Sequence, residues 1–175
     1  LPKATLLSAR VLSDKGGRTE FANLYSAWEQ LPDWEKDGLE ELRVLHTIGS
    51  SMKAFMDDVN EKTVALLNVA DKMNHPLVWT HEDGRKSLLL GSHADQILGM
   101  EYAQGRAIIR RLSEWAAQPD FVYSHDWKPG DFVIWDNTGV MHRVQPYNDP
   151  KRTMHRTTLA GNERINGSFV VKAAA

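Results

Sequence analysis

Apolar and polar positions alternate in short runs along much of this chain, and only a few stretches carry helical spacing. Residues 5–12, Thr-Leu-Leu-Ser-Ala-Arg-Val-Leu, predict a strand, and Lys15-Gly16-Gly17 predicts the turn after it. Residues 20–30 read as a short helix closed by Leu31-Pro32, and residues 33–42 as a second, with Asp33 as its N-cap. Residues 42–47 are apolar and β-branched enough for a strand. Residues 60–71 have helical periodicity, with Val64, Leu67, Val69 and Ala70 available for a buried face, inside a long excursion from the sheet. Residues 76–80 and 86–91 flank Glu82-Asp83-Gly84 and predict a hairpin. Residues 101–117 form the clearest helix: Ile108, Leu112 and Trp115 recur at helical spacing, and Gln118-Pro119 ends it. Residues 121–127 and 131–135, joined by Lys128-Pro129-Gly130-Asp131, predict a second hairpin. Residues 152–160 predict a last strand, and the weakly patterned tail from about residue 162 is expected to be peripheral.

Strands dominate the half of the chain that carries polar chemistry, and no strand, glycine-rich loop and helix follow one another as in a nucleotide-binding unit. The pattern therefore favours a mainly β fold with helical insertions, a β-sandwich or jelly roll, over a doubly wound sheet. The 175 residues suffice for one domain with a sizeable core. A formal net charge of -2 gives no electrostatic reason to expect nucleic acid or an anionic membrane as a partner. The absence of cysteine excludes a disulfide scaffold, a thiolate zinc site and a thiol nucleophile from this sequence. It contains no apolar run long enough to span a bilayer and no secretory signal, so a cytoplasmic setting is expected.

Candidate chemistry begins at Arg152-Thr153-Met154-His155-Arg156. On a strand Arg152, Met154 and Arg156 share one face and Thr153 and His155 the other. Two guanidinium groups facing a partly dry cavity need anions to offset their desolvation. Arginine suits bidentate capture of a carboxylate or sulfonate, so the pair points to an acidic small molecule. The competing reading leaves both arginines in solvent, paired with surface carboxylates. Upstream, Pro129-Gly130-Asp131 launches the apolar run Phe132-Val133-Ile134-Trp135, which breaks at Asp136-Asn137-Thr138-Gly139 before His142. A small barrel presents an imidazole to its interior in this way, and imidazole suits a metal. Trp135 and Asn137 are expected as wall and turn residues.

The stretch Trp135-Asp136-Asn137, His142 and Arg152-Thr153-Met154-His155-Arg156 resembles the C-terminal part of the taurine / 2,4-dichlorophenoxyacetate dioxygenases. Gly16-Gly17-Arg18-Thr19-Glu20-Phe21 resembles that family's Gly-Gly-Asp-Thr segment, with Arg18 where Asp is usual. His75-Pro76-Leu77-Val78 and Gly84-Arg85-Lys86-Ser87-Leu88 resemble its central hairpin. The likeness spans residues 4–161. It implies a double-stranded β-helix (a cupin-like jelly roll) whose N-terminal part is missing from this chain. It also implies an Fe(II)- and 2-oxoglutarate-dependent dioxygenase that hydroxylates a small anionic substrate, such as a sulfonate or aryloxy acid, with release of succinate and CO2. Dioxygen and that substrate are the implied partners, and a homo-oligomer is left open.

Position by position, His142 resembles the distal iron ligand. Arg152 and Thr19 resemble the partners of the 2-oxoglutarate distal carboxylate. Arg156 resembles a second arginine that meets the substrate's anionic group or helps to hold the cosubstrate, and His93 sits where a substrate-pocket side chain is often found. The family's His-x-Asp pair is expected upstream of Leu1, so this chain alone is expected to be inactive. Two internal matches to that pattern, His81-Glu82-Asp83 and His93-Ala94-Asp95, follow Thr19 in the wrong order and are expected not to bind the functional metal. Two rival readings are a non-catalytic jelly-roll module that binds a small organic acid, and a hydrolytic metal site built from His81, Asp83 and His142.

Overall fold

The computed structural model describes residues 2–53 and 72–172. The elements run β1 (Pro2–Val11), β2 (Thr19–Asn23), α1 (Leu24–Glu29), α2 (Asp33–Glu40), β3 (Arg43–His46), α3 (Ile48–Lys53), β4 (Lys72–Pro76), β5 (Val78–Thr80), β6 (Lys86–Leu88), β7 (Ala94–Ile97), α4 (Tyr102–Ala116), β8 (Val122–His125), β9 (Phe132–Asp136), β10 (Val140–Val144), β11 (Thr153–Ala160) and β12 (Phe169–Val171). The helical periodicity expected for residues 60–71 lies outside the described residues. No helix among the described residues is long and apolar enough to cross a membrane.

Two three-stranded sheets form the chemistry-bearing part. Their orders are β11-β1-β9 and β10-β2-β8, with every pairing antiparallel. Register fixes which residues face inward. Leu7 lies between Arg156 and Val133, while Thr5 lies opposite Trp135 and Ala9 opposite Met154, so these side chains share one face of the first sheet. In the second sheet His142 lies opposite Phe21, and Thr19 lies between Val144 and His125. The two faces meet through aromatic rings: Phe21 is 5.1 Å from Trp135 and Trp135 is 4.8 Å from His142, centroid to centroid. This is the jelly-roll sandwich that the strand pattern anticipates.

The helices pack outside it. The main core joins Leu24, Ala27 and Trp28 of α1 with Val44, Leu88 and Ile97 from the strands, with Leu77 between β4 and β5, and with Ile109, Leu112 and Ala116 of α4. Each such fully buried aliphatic side chain contributes roughly 1.5–3 kcal/mol relative to exposure. Helix α4 begins where Glu101 accepts from the Gln104 N–H at 3.1 Å. It lies so close to β7 that a Cβ on Gly105 would come 3.2 Å from Ile97. The Trp115 indole donates to the Ala27 carbonyl at 2.8 Å and ties α4 to α1.

Four local expectations are corrected. Residues 20–23 extend β2 rather than open a helix; α1 starts at Leu24, capped by the Asn23 side chain, which accepts from the Tyr25 and Ser26 N–H groups. Asp33 is the first residue of α2, and Pro32 occupies the cap position without a side-chain bond. Residues 121–135 do not form a hairpin, because β8 pairs with β2 while β9 pairs with β1 in the other sheet. The tail is not merely peripheral: β12 pairs with β4, and Glu163 reaches the hairpin of β5 and β6. That hairpin is as expected, with Gly84 in its turn at φ 84°.

Candidate active site

The gap between the two sheets opens into a cavity of about 780 Å³. Thr19, Trp135, His142, Arg152, Met154 and Arg156 all line it, together with Leu7. The alternation read from the last strand therefore holds: Arg152, Met154 and Arg156 reach one cavity from one face of the chain. Residues far apart in sequence meet here because β1 lies between β9 and β11 while β2 lies between β8 and β10.

Arg152 approaches the Gly16-Gly17 turn. Its guanidinium donates to the Gly17 carbonyl at 3.2 Å and lies 4.7 Å above the Tyr147 ring. Gly17 has φ 78°, and a Cβ there would come 3.0 Å from Arg152 Nε, so only glycine lets the arginine lie this close without strain. Arg156, on β11, is more exposed at the cavity mouth. Among the described residues neither arginine has a carboxylate within ion-pair distance. Arg152 and Arg156 thus bring two guanidinium groups without ion-pair partners to one strand's side of the cavity, which favours an anionic ligand there, while Arg110 and Glu114 line it from α4.

Thr19 is 4% exposed, and its hydroxyl accepts from the Trp127 indole at 2.9 Å. On the same face His142 packs against Phe21 and Trp135. Burial, and secondly the charge of Arg156, hold the His142 imidazole below its ordinary pKa. It is therefore neutral near pH 7, the form that ligates a metal. Beside it, the Trp135 indole nitrogen is buried without a hydrogen-bond partner among the described residues. An orphaned donor next to a neutral imidazole fits a site completed by an acceptor such as a carboxylate. No group of three metal-ligating side chains occurs among the described residues, so His142 fits as one ligand of a metal, not as a complete set.

The remaining candidates lie elsewhere. His93 is exposed and does not line this cavity; its carbonyl accepts from Thr47, and its charge acts on His46. His81 is buried, with Nε2 2.9 Å from the Ser87 hydroxyl and Nδ1 3.2 Å from Glu163. Asp83 holds Arg85 at 2.8 Å, and Asp95 accepts from the Tyr102 hydroxyl. Neither internal His-x-Asp match joins His142, so the hydrolytic site imagined from His81, Asp83 and His142 is not assembled. Asn137 is a turn residue held by Thr5 at 2.8 Å. Tyr147 and Trp127 carry no signal of their role in the sequence. Only the Gly16-Gly17 pair after an apolar strand carried a signal of close approach.

The described fold is a jelly roll in which an imidazole and two arginines line one cavity. The chain belongs to the taurine catabolism dioxygenase TauD, TfdA family, whose family model matches residues 1–158. It is 40% identical over 159 residues to an alpha-ketoglutarate-dependent 2,4-dichlorophenoxyacetate dioxygenase of Burkholderia sp. (strain RASC), covering 90% of this chain and 53% of that protein. It is 35% identical over 166 residues to an (S)-phenoxypropionate/alpha-ketoglutarate-dioxygenase of Sphingobium herbicidovorans, covering 91% of this chain and 58% of the relative. Among solved structures, AAD-2 in complex with Mn(II) and N-oxalylglycine superposes with a TM-score of 0.84 at 40% identity, over 94% of this chain and 65% of that one. The chain thus spans little more than half the length of these curated relatives.

Proposed function

We propose that this chain supplies the cosubstrate clamp and one iron ligand of an Fe(II)- and 2-oxoglutarate-dependent dioxygenase that hydroxylates a small anionic organic substrate. The observation that carries this reading is the convergence of His142, Thr19, Arg152 and Arg156 on one cavity. The curated relatives, named for phenoxy acids and alpha-ketoglutarate, support the same class.

In this reading His142 would hold the metal through a neutral ring nitrogen, as one ligand of a set that the described residues do not complete. An iron ion held there would supply dioxygen activation coupled to decarboxylation of 2-oxoglutarate. Arg152 grips the distal carboxylate by charge-assisted hydrogen bonds, and the Thr19 hydroxyl donates a further one. Leu7, Met154 and Trp135 wall the space between, keep water out and so strengthen each of those contacts. Arg156 keeps a positive charge at the cavity mouth once the cosubstrate has matched Arg152, which selects an acidic primary substrate, a sulfonate or an aryloxy acid.

The test is succinate formation by the intact protein with 2-oxoglutarate, with and without Fe(II), across a panel of sulfonates, aryloxy acids and neutral analogues. Iron-dependent succinate coupled to acidic substrates is expected. Succinate formed equally without iron, or turnover of neutral compounds alone, would overturn the reading.

A further inference from the structure

The hydrogen bond between Trp127 and Thr19 has a fixed polarity. Trp127 is 9% exposed and Thr19 4%, and Trp127 Nε1 lies 2.9 Å from Thr19 Oγ1. An indole nitrogen carries a hydrogen and no lone pair free to accept, so Trp127 must donate. The threonine oxygen must then accept, and its own proton is left to give elsewhere. A carboxylate only accepts. The bond occupies one of the two lone pairs of the hydroxyl and turns its proton away from Trp127, which favours an acceptor such as a carboxylate in that direction.

The indole itself is braced. The His125 ring meets Trp127 edge-on at 4.5 Å and 83°. His125 Nε2 lies 3.0 Å from Asp131 Oδ2, and Nδ1 lies 3.1 Å from the Tyr123 hydroxyl. The same Asp131 oxygen accepts from the Lys128 N–H at 2.8 Å, which fixes the backbone directly after Trp127. A strut therefore runs from the Lys128-Pro129-Gly130-Asp131 turn through His125 and Trp127 to the hydroxyl in the cavity wall. Nothing in this strut touches the cavity except Thr19.

We propose that Trp127 is a positioning residue that holds the Thr19 hydroxyl as a donor toward the distal carboxylate of 2-oxoglutarate and so contributes to selection of a 2-oxo acid with a second carboxylate. The proposal rests on reading Thr19 and Arg152 as the clamp. A purely structural tryptophan would stabilise the sheet and affect all ligands alike. A polarity-setting one discriminates between 2-oxo acids that have and lack the distal carboxylate.

The experiment measures anaerobic binding of 2-oxoglutarate and of 2-oxovalerate, which lacks that carboxylate, to the intact metal-loaded enzyme and its Trp127→Phe, Thr19→Val and Thr19→Ser variants. Trp127→Phe is expected to weaken 2-oxoglutarate by about threefold to tenfold, the loss of one hydrogen bond's orientation, while 2-oxovalerate changes little. The effect should vanish in the Thr19→Val background, and Thr19→Ser should retain most of the affinity. Equal losses for both acids, or additive effects of Trp127→Phe and Thr19→Val, would make Trp127 structural and overturn the proposal. If Thr19→Val and Arg152→Ala leave 2-oxoglutarate affinity unchanged, the clamp itself fails; if they weaken it and Trp127→Phe does not, only the role of Trp127 fails. Should Trp127→Phe unfold the protein, 3-benzothienylalanine incorporated at Trp127 keeps the ring shape without the N–H and gives the same comparison.

Discussion

The guanidinium of Arg152 rests on the backbone of Gly17, donating to its carbonyl at 3.2 Å, with no room for a side chain between them. An alanine at 17 would place its Cβ 3.0 Å from Arg152 Nε and would occupy a left-handed conformation at φ 78°, itself a strain of about 1–2 kcal/mol. Gly17→Ala is therefore expected to push Arg152 from its seat and to weaken 2-oxoglutarate binding by about fivefold or more, since each 1.4 kcal/mol is tenfold. Isothermal titration of the intact protein checks this. Unchanged affinity would show that Arg152 does not bind from this position.

The two arginines should separate in kinetics. Arg152→Ala removes charge-assisted bonds of about 1.5–3 kcal/mol each and is expected to lower 2-oxoglutarate affinity by at least about tenfold. Arg156→Ala should instead raise KM for the acidic primary substrate and leave the cosubstrate nearly untouched. Steady-state kinetics varying each substrate in turn distinguishes the two. The opposite split would exchange their roles.

Glu163 holds His81 Nδ1 at 3.2 Å and accepts from the Glu82 N–H at 2.8 Å, while His81 Nε2 meets the fully buried Ser87 hydroxyl. Glu163→Ala leaves these buried groups short of a partner and is expected to cost about 1–3 kcal/mol of stability without changing ligand affinity. Urea unfolding monitored by tryptophan fluorescence measures the loss. An unchanged midpoint would mean the tail contributes nothing to the hairpin.

Acid should loosen the β3–β4 region. Burial, with the charges of His75 and His93, lowers the His46 pKa from 6.5 to about 4, and burial with Arg43 lowers that of His75. The rings of His46 and His75 stand 5.1 Å apart. A histidine with a depressed folded pKa takes up its proton more readily unfolded, so its stabilising contribution is present above pH 6.5 and fades as pH falls toward 4. For His46 this amounts to up to about 3 kcal/mol. Thermal melts at pH 7 and 4.5 should show a steeper loss for the native protein than for His46→Phe. Parallel losses in both would remove His46 from the acid response.

Helix α4 and the hairpin of β5 and β6 were legible because their signals are local: apolar residues at helical spacing over 102–116, and Asp83-Gly84 between two short apolar runs. The inward face of Arg152, Met154 and Arg156 followed from strand alternation alone. The misreadings share one physical cause. Residues 20–23 suit a helix by composition, yet pairing with both β8 and β10 overrides that preference. Likewise Lys128-Pro129-Gly130-Asp131 is a sound turn, but a turn cannot reveal that the strands on either side enter different sheets. The Trp127–Thr19 bond spans 108 positions and left no trace in spacing.

Arg152 and Gly17 are 135 positions apart, so the contact they make at the proposed anion seat closes nearly the whole described chain into a single loop. Closing such a loop costs chain entropy that only the finished sandwich repays, and contacts of this separation form late in folding. A partly folded chain would hold α4 and the hairpin but no seat for the acid. Ligand bound there would act on the folded state alone, and at about a hundred times its Kd would add about 2.7 kcal/mol to the unfolding free energy. Occupancy of the seat would thus double as a report that β1 and β11 have found each other.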